Sequence, residues 1–261
     1  MPVLVSVVSH QQADLVFLLL KDFQNHCLPN DLEVIVTVNS EEKIPFKTED
    51  FDFKLLVVQN DHPRGFAANH NAAFKLRGSD FFCLLNPDIR LTQDPFSLLM
   101  DTASNGKTGL VAPLIRNDEK KIEDSARRLP TPFRLFRRFW KRWKGLSVDY
   151  PIGDTLIFPE WVAGIFMLFP SRAFAEMKGF NEKYFLYFED VDLCSRLRMA
   201  GYQIILDPRV SVIHKARRDS HANWQYFKWH LFSGIRFFSS TVFWACYLKQ
   251  LRQKDKKTLW T

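Results

Sequence analysis

Four short apolar runs, at 3–8, 32–38, 54–58 and 81–85, are rich in β-branched or aromatic residues and are separated by helical or loop segments. A strand that is apolar throughout, rather than at every second position, is buried on both faces. That is the condition of a parallel sheet covered by helices. Between the runs, 14–23 sets Leu15, Leu18 and Leu19 on one helical side, and 67–76 reads as a second helix ending at Gly78. Strand and helix alternating at this spacing predicts an α/β fold with a mostly parallel sheet flanked by helices.

The second half continues the pattern less regularly. A strand is expected at 109–114. Another, at 161–169, carries Gly164 inside it, a sign of close backbone approach. A helix is expected over 189–200 with Leu193 and Leu197 one turn apart, then strand-like runs at 202–206 and 210–213. From Asn223 onward the chain is aromatic and helical in pattern. With no repeat and no low-complexity linker, the reading is one domain over 1–220 and a C-terminal helical extension over 221–261. The start, Met1-Pro-Val-Leu-Val-Ser, has no basic n-region and reads as a core strand rather than a signal peptide. No apolar run reaches transmembrane length.

Lys and Arg outnumber Asp and Glu by 36 to 29, a net charge of +7, which favours anionic partners. Cys27, Cys83, Cys194 and Cys246 are far apart and form no CxxC pair, which argues against a zinc ribbon or dithiol centre and fits a reducing cytosol.

Three places carry chemistry. Asn86-Pro87-Asp88 closes a predicted strand, so Asp88 projects at the carboxyl edge of the sheet, where it either makes a plain turn or holds a hard divalent ion. Glu189-Asp190-Val191-Asp192 opens a helix behind the aromatic run 184–188. Carboxylates there cap the helix, but three within four positions repel, and one can become basic enough to accept a proton. His214 ends an apolar strand and is either a neutral core histidine or a metal ligand.

In combination these pieces resemble glycosyltransferase family 2, with its nucleotide-sugar-binding GT-A fold. The resemblance runs from Val3 to about Ser220. It is carried by Val5-Ser-Val-Val-Ser-His10, Arg64-Gly-Phe-Ala-Ala-Asn-His-Asn71, Leu84-Leu-Asn-Pro-Asp88, Trp161-Val-Ala-Gly164, Gly179-Phe-Asn-Glu-Lys-Tyr-Phe185, Phe188-Glu-Asp-Val-Asp-Leu193 and Val212-Ile-His214. Within the family it looks most like bacterial rhamnosyltransferases of O-antigen and related surface polysaccharides, to which Arg127-Arg-Leu-Pro130 and Trp229-His-Leu231 add.

The resemblance implies an inverting, metal-dependent transferase. The donor would be a nucleotide-diphospho-sugar, dTDP-L-rhamnose first and another hexose or N-acetylhexosamine donor as the alternative. The acceptor would be a polyprenyl-diphosphate-linked glycan. It makes Asp88 and His214 the ligands of Mg2+ or Mn2+, and Asp190 the general base. Asn86 stands where the family usually has an acidic first position, and Val38 where it usually has an acidic residue before Asn39. Residues 1–115 would form the nucleotide-sugar half, with Ser9, His10, Asn39, Asn60, Arg64, Gly65, Asn69, Asn86 and Asp88 facing the donor. Residues 116–220 would form the acceptor half, with Trp161, Gly164, Tyr187 and Glu189 on that side. Arg64 and Gly65 precede a helix, where backbone N–H groups favour phosphate, although a simple turn glycine fits as well.

Between 127 and 144 the chain is basic and aromatic. Phe136, Phe139, Trp140 and Trp143 recur at three- and four-residue steps, amid Arg134, Arg137, Arg138, Lys141 and Arg142. Such a helix suits an anionic membrane surface, stacking on nucleic acid, or packing on the core. The membrane surface is the preferred reading, which puts the protein peripherally on the inner face of the cytoplasmic membrane, with no nucleic-acid partner expected. Phe237 to Leu248 reads as a second interfacial element. Two other functions stand as alternatives. A sugar-phosphate nucleotidyltransferase needs a Gly-rich loop after the first strand, and His10-Gln-Gln-Ala13 is none. A non-catalytic membrane- or nucleic-acid-binding module would leave the acidic cluster purely structural.

Overall fold

The computed structural model describes residues 2–28, 31–134, 149–215 and 224–258. The strands are β1 (Val3–Ser9), β2 (Leu32–Val38), β3 (Lys54–Gln59), β4 (Phe81–Leu85), β5 (Ile89–Arg90), β6 (Thr108–Arg116), β7 (Ala126–Arg127), β8 (Trp161–Val162), β9 (Phe166–Pro170) and β10 (Gln203–His214). The helices are α1 (Ala13–His26), α2 (Phe66–Leu76), α3 (Phe96–Ala103), α4 (Ser171–Glu176), α5 (Glu189–Met199), α6 (Trp224–Phe238) and α7 (Thr241–Thr258).

Eight strands form one sheet in the order β3-β2-β1-β4-β9-β6-β10-β5, and β7 pairs with β8 in a small second ribbon. The pairs β1–β2, β1–β4, β2–β3 and β6–β10 are parallel, whereas β9 runs antiparallel to β4 and β6. One sheet thus takes strands from both halves of the chain. Its two faces are filled by alternate residues of the same strands. Val3, Val5, Val7, Val34, Val36, Cys83 and Leu85 join the core that contains Val16, Leu19, Leu20 and Phe23 of α1. Leu4, Ile35, Phe82 and Leu84 join the opposite core, with Ala67 and Ala73 of α2 and Val191, Leu193 and Leu197 of α5. This is the both-faces burial that the unbroken apolar runs predict for β1, β2 and β4, whereas β3 is the edge strand and is only partly buried.

Three expectations need correction. The run at 161–169 is two strands in different sheets: β8 pairs with β7, β9 pairs with β4, and 163–165 form a break between them. The runs at 202–206 and 210–213 are one strand, β10, with a register irregularity between Asp207 and Ser211. The second helix does not end on Gly78, because Arg77 is already extended at φ −144° and ψ 144°. Most of the basic aromatic segment, with Arg137, Arg138, Trp140, Lys141, Arg142 and Trp143, lies outside the described residues. Arg134, which is described, does not stand free: it pairs with Glu160 at 3.3 Å and donates to the Leu129 carbonyl at 2.9 Å.

Buried polar groups hold the layers in place. The Asp22 carboxylate of α1 takes both Arg90 donors at 2.6 Å and the Leu91 N–H at 2.9 Å, which fixes β5 immediately after Asp88. His70 of α2 meets the Ser6 hydroxyl at 2.8 Å inside the core, and burial pushes its pKa down to about 3, so it is a neutral structural histidine.

Candidate active site

Pro87 stops β4, and the Ile89 N–H closes the turn onto the Asn86 carbonyl at 3.2 Å. Asp88 is thereby set at the sheet's carboxyl edge, buried, with its own carbonyl accepting from the Lys215 N–H at 2.8 Å. That bond ties the end of β4 to the end of β10, where His214 opposes Ile89. The His214 Nε2 lies 3.3 Å from Asp88 Oδ2, and its Nδ1 lies 2.9 Å from Glu123 Oε2. Asp88 Oδ1 is buried without a partner.

Burial pulls the His214 imidazole down, but the hydrogen bonds and charges of Asp88 and Glu123 outweigh it and hold the pKa at about 9. An imidazole whose Nδ1–H is held by one carboxylate and whose Nε2 faces another is the usual preorganised metal-binding histidine. A cation would replace the Nε2 proton and engage the orphaned Asp88 oxygen. Among the described residues no third His, Cys, Asp or Glu completes a cluster, so a diphosphate and water would have to fill the remaining positions. The donor set fits Mg2+ or Mn2+ on those terms.

The 163–165 break joins this corner to the acidic helix start. The Ile165 carbonyl accepts from the Asn86 N–H at 3.0 Å, and the Gly164 N–H donates to Asp190 Oδ2 at 3.0 Å. Asp190 Oδ1 accepts from the Val191 N–H at 2.8 Å. Burial raises the Asp190 pKa, while these two N–H donors and the Arg127 charge work against it. Asp190 keeps part of its surface open, unlike its neighbours Glu189 and Asp192. Glu189 is buried with Oε2 unpartnered, and burial together with the Asp190 charge pushes its carboxyl well above the usual range. Asp192 binds Arg196 at 2.8 Å, and Arg196 reaches on to the Met177 carbonyl at 2.5 Å and the Gly179 carbonyl at 2.9 Å, an orienting role.

The turn leading into this helix is strained. Tyr187 at φ 72° and Phe188 at φ 66° are consecutive left-handed residues that are not glycine. Such backbone costs of order 1–3 kcal/mol per residue and persists only where packing enforces it.

On the donor side the structure brings Asn39, Asn60, Arg64 and Asn69 together, but largely with one another. Asn39 Oδ1 accepts from the Asn60 amide at 2.8 Å and from the Arg64 N–H at 2.8 Å, and the Asn39 amide donates to the Arg64 carbonyl at 3.0 Å. Asn60 also donates to Asn69 Oδ1 at 2.7 Å, and the Asn69 amide donates to the Arg64 carbonyl at 3.1 Å. These asparagines build the 60–65 loop rather than offer open donors. The first N–H of α2, on Phe66, is occupied by the Phe185 carbonyl at 2.9 Å, so that donor is not offered to a phosphate. Arg64 and His10 are exposed, Asn86 is half-buried, and Ser9 is fully buried with its hydroxyl unpartnered. Trp161 is a packing residue: its Nε1–H donates to the Arg128 carbonyl at 2.9 Å, and Arg127 stacks 5.1 Å over its ring. Tyr187 packs on His230 with ring centroids 5.0 Å apart, the rings tilted by 33°.

Gly65 has a steric reason. A Cβ there would lie 2.6 Å from the Phe185 carbonyl oxygen and 2.9 Å from its Cα, both backbone atoms unable to yield singly. Gly65→Ala is expected to push the 184–188 segment away, costing about 1–3 kcal/mol of stability and displacing Asp190 behind it. Thermal denaturation alongside nucleotide release checks this; unchanged stability and activity would show that the contact is unimportant.

Sequence reasoning missed two neighbours of the site. Glu123 sits in the charged stretch 117–124, and nothing local marks it as the partner of His214. Arg127, grouped with the basic segment, stands close enough to Asp190 for its charge to act there.

No family model matches the chain. Rhamnosyltransferase WbbL of Escherichia coli K12 is 29% identical over 185 residues, 66% of this chain and 69% of that protein. The N-acetylglucosaminyl-diphospho-decaprenol L-rhamnosyltransferase of Mycobacterium tuberculosis is 32% identical over 143 residues, 52% of this chain and 47% of that protein. The chain therefore spans about two thirds of one of these relatives and about half of the other. Among solved structures, GalNAc-T7 with UDP, GalNAc and Mn2+ superposes with a TM-score of 0.65 at 12% identity, over 83% of this chain and 44% of that one. Mannosyltransferase PcManGT from Pyrobaculum calidifontis, with GDP-Man and Mn2+, gives 0.63 at 17% identity, over 90% of this chain and 64% of that one. Fold and sequence together make this chain a glycosyltransferase of the GT-A fold, homologous to proteins named as rhamnosyltransferases.

Proposed function

We propose that the chain transfers L-rhamnose from dTDP-L-rhamnose, with inversion, to a hydroxyl of a polyprenyl-diphosphate-linked glycan at the inner face of the membrane. The observation that carries this reading is the pairing of Asp88 with His214 at one end of the 163–165 break and Asp190 at the other. Asp88 and His214 would hold the cation, with Glu123 fixing the imidazole. When bound, that cation neutralises charge developing on the departing diphosphate. Asp190, steadied by the Gly164 and Val191 N–H groups, takes the proton of the acceptor hydroxyl. That oxygen forms the new bond to the anomeric carbon as the bond to the diphosphate breaks on the opposite face and dTDP leaves. No covalent sugar–enzyme intermediate is required, so one basic carboxylate suffices. Arg64, exposed on the loop that the asparagines stiffen, would meet a phosphate of the donor. Nucleotide release from dTDP-rhamnose with Mn2+, measured beside UDP- and GDP-sugars, tests the donor. Release is expected to be fastest with dTDP-rhamnose, and a faster UDP- or GDP-sugar would overturn that choice.

A further inference from the structure

Helices α6 and α7 have two faces of different kinds. The inner face of α6 grips the strained turn before Asp190. The Ser233 hydroxyl donates to the Leu186 carbonyl at 2.8 Å, Trp229 packs on Phe185 with ring centroids 4.8 Å apart, and Phe237 packs on Phe188 at 5.6 Å. The inner face of α7 buries Phe243 and Cys246, with the Cys246 thiol against the Ser195 carbonyl of α5 at 3.6 Å.

The outer face is apolar and uncovered. Trp224, Phe227, Leu231, Phe232 and Ile235 recur at the three- and four-residue steps of one helical stripe. Trp224 is 67% exposed, Phe227 56% and Phe232 65%. On α7, Trp244 and Leu248 extend the exposed apolar surface one turn apart. A stripe of this size left in water marks an interaction surface. The cations Lys228, Arg236 and Lys249 are exposed on the same two helices, and no Asp or Glu occurs from Trp224 to Leu251. Two copies meeting through this face would bring like charges together, whereas an anionic bilayer would neutralise them. No single described helix is long and apolar enough to cross a membrane. The pair passes that test only together, bent by 60°, and its inner faces are already packed on the fold. The arrangement therefore suits helices lying in the interface rather than spanning it.

We propose that the outer face of α6 and α7 is a docking surface for an anionic phospholipid bilayer, with apolar side chains inserted and the cations at headgroup level. The helices back directly onto the turn that leads into Asp190, so docking would hold the active-site cleft at a fixed orientation to the bilayer. This rests on the proposed lipid-linked acceptor for its purpose, not for its test.

The test is flotation of the full chain with phosphatidylglycerol/phosphatidylcholine vesicles and with phosphatidylcholine alone. The parent is expected to float with the anionic vesicles, less so as salt rises, and weakly with the neutral ones. Phe227→Ser, Phe232→Ser and Ile235→Ser together are expected to lower partitioning about 100-fold. Lys228→Gln, Arg236→Gln and Lys249→Gln together are expected to abolish the preference for anionic vesicles. Both triple variants should release nucleotide from dTDP-rhamnose in solution as the parent does. Undiminished flotation of both variants would overturn the proposal. So would a parent that is dimeric by light scattering, becomes monomeric in the serine variant and never floats, since that assigns the face to a second copy. A parent that floats but releases no nucleotide would instead sink the activity and leave the surface standing.

Discussion

Asp190→Asn is expected to lower sugar transfer by about 10²- to 10⁴-fold, the usual worth of a positioned general base. The amide keeps one acceptor for the Gly164 or Val191 N–H but not both. The structural cost should be about 1 kcal/mol, a fall of about 2–4 °C in the thermal midpoint, far too small to explain such a loss. The pH profile carries a second sign. Only the ionised carboxylate accepts a proton, and burial raises its pKa. The acid limb of kcat/KM should therefore lie above the range of an ordinary aspartate, with activity lost as pH falls through it. In the Asn variant that limb should vanish from the residual rate. Full transfer by the variant would remove Asp190 from the base role.

Asp88→Ala should abolish response to the divalent cation. It removes the carboxylate facing His214 Nε2 together with the orphaned Oδ1. A loss of at least about 10²-fold in nucleotide release is expected, since charge stabilisation at a leaving group is commonly worth several kcal/mol. Glu123→Gln should act more mildly, weakening Mn2+ binding by about 10- to 100-fold while leaving the rate at saturating Mn2+ close to the parent's. Mn2+ titration followed by electron paramagnetic resonance, with chelator as the blank, separates the two. Release that is indifferent to chelator would exclude a metal at this corner.

The two variants bracket what was legible beforehand. The aspartates and His214 stand at predictable ends of apolar runs, and strand termini in an α/β sheet converge on one edge for topological reasons. Glu123 has no such signature. It reaches His214, 91 residues further along the chain, because its own N–H is bonded to the Ile115 carbonyl of β6, the strand beside β10. The asparagine network went unrecognised for a related reason. Asn39, Asn60 and Asn69 read as donors aimed at a ligand, and only their mutual distances reveal that they bind each other. The break at 163–165 was hidden because both flanking strands are apolar, and burial pattern alone cannot tell which sheet a strand joins.

Local chemistry decided a great deal without tertiary information. Unbroken β-branched runs demand burial on both faces, a proline ends β4 where Asp88 begins, and three clustered carboxylates at a helix start cannot all behave as ordinary surface acids. The packed molecule alone decided which of those acids stays accessible, which carboxylate steadies His214, and which face of the C-terminal helices is left facing outward. Charge regulation, desolvation and exposure depend on neighbours distant along the chain, and only the folded chain sets those distances.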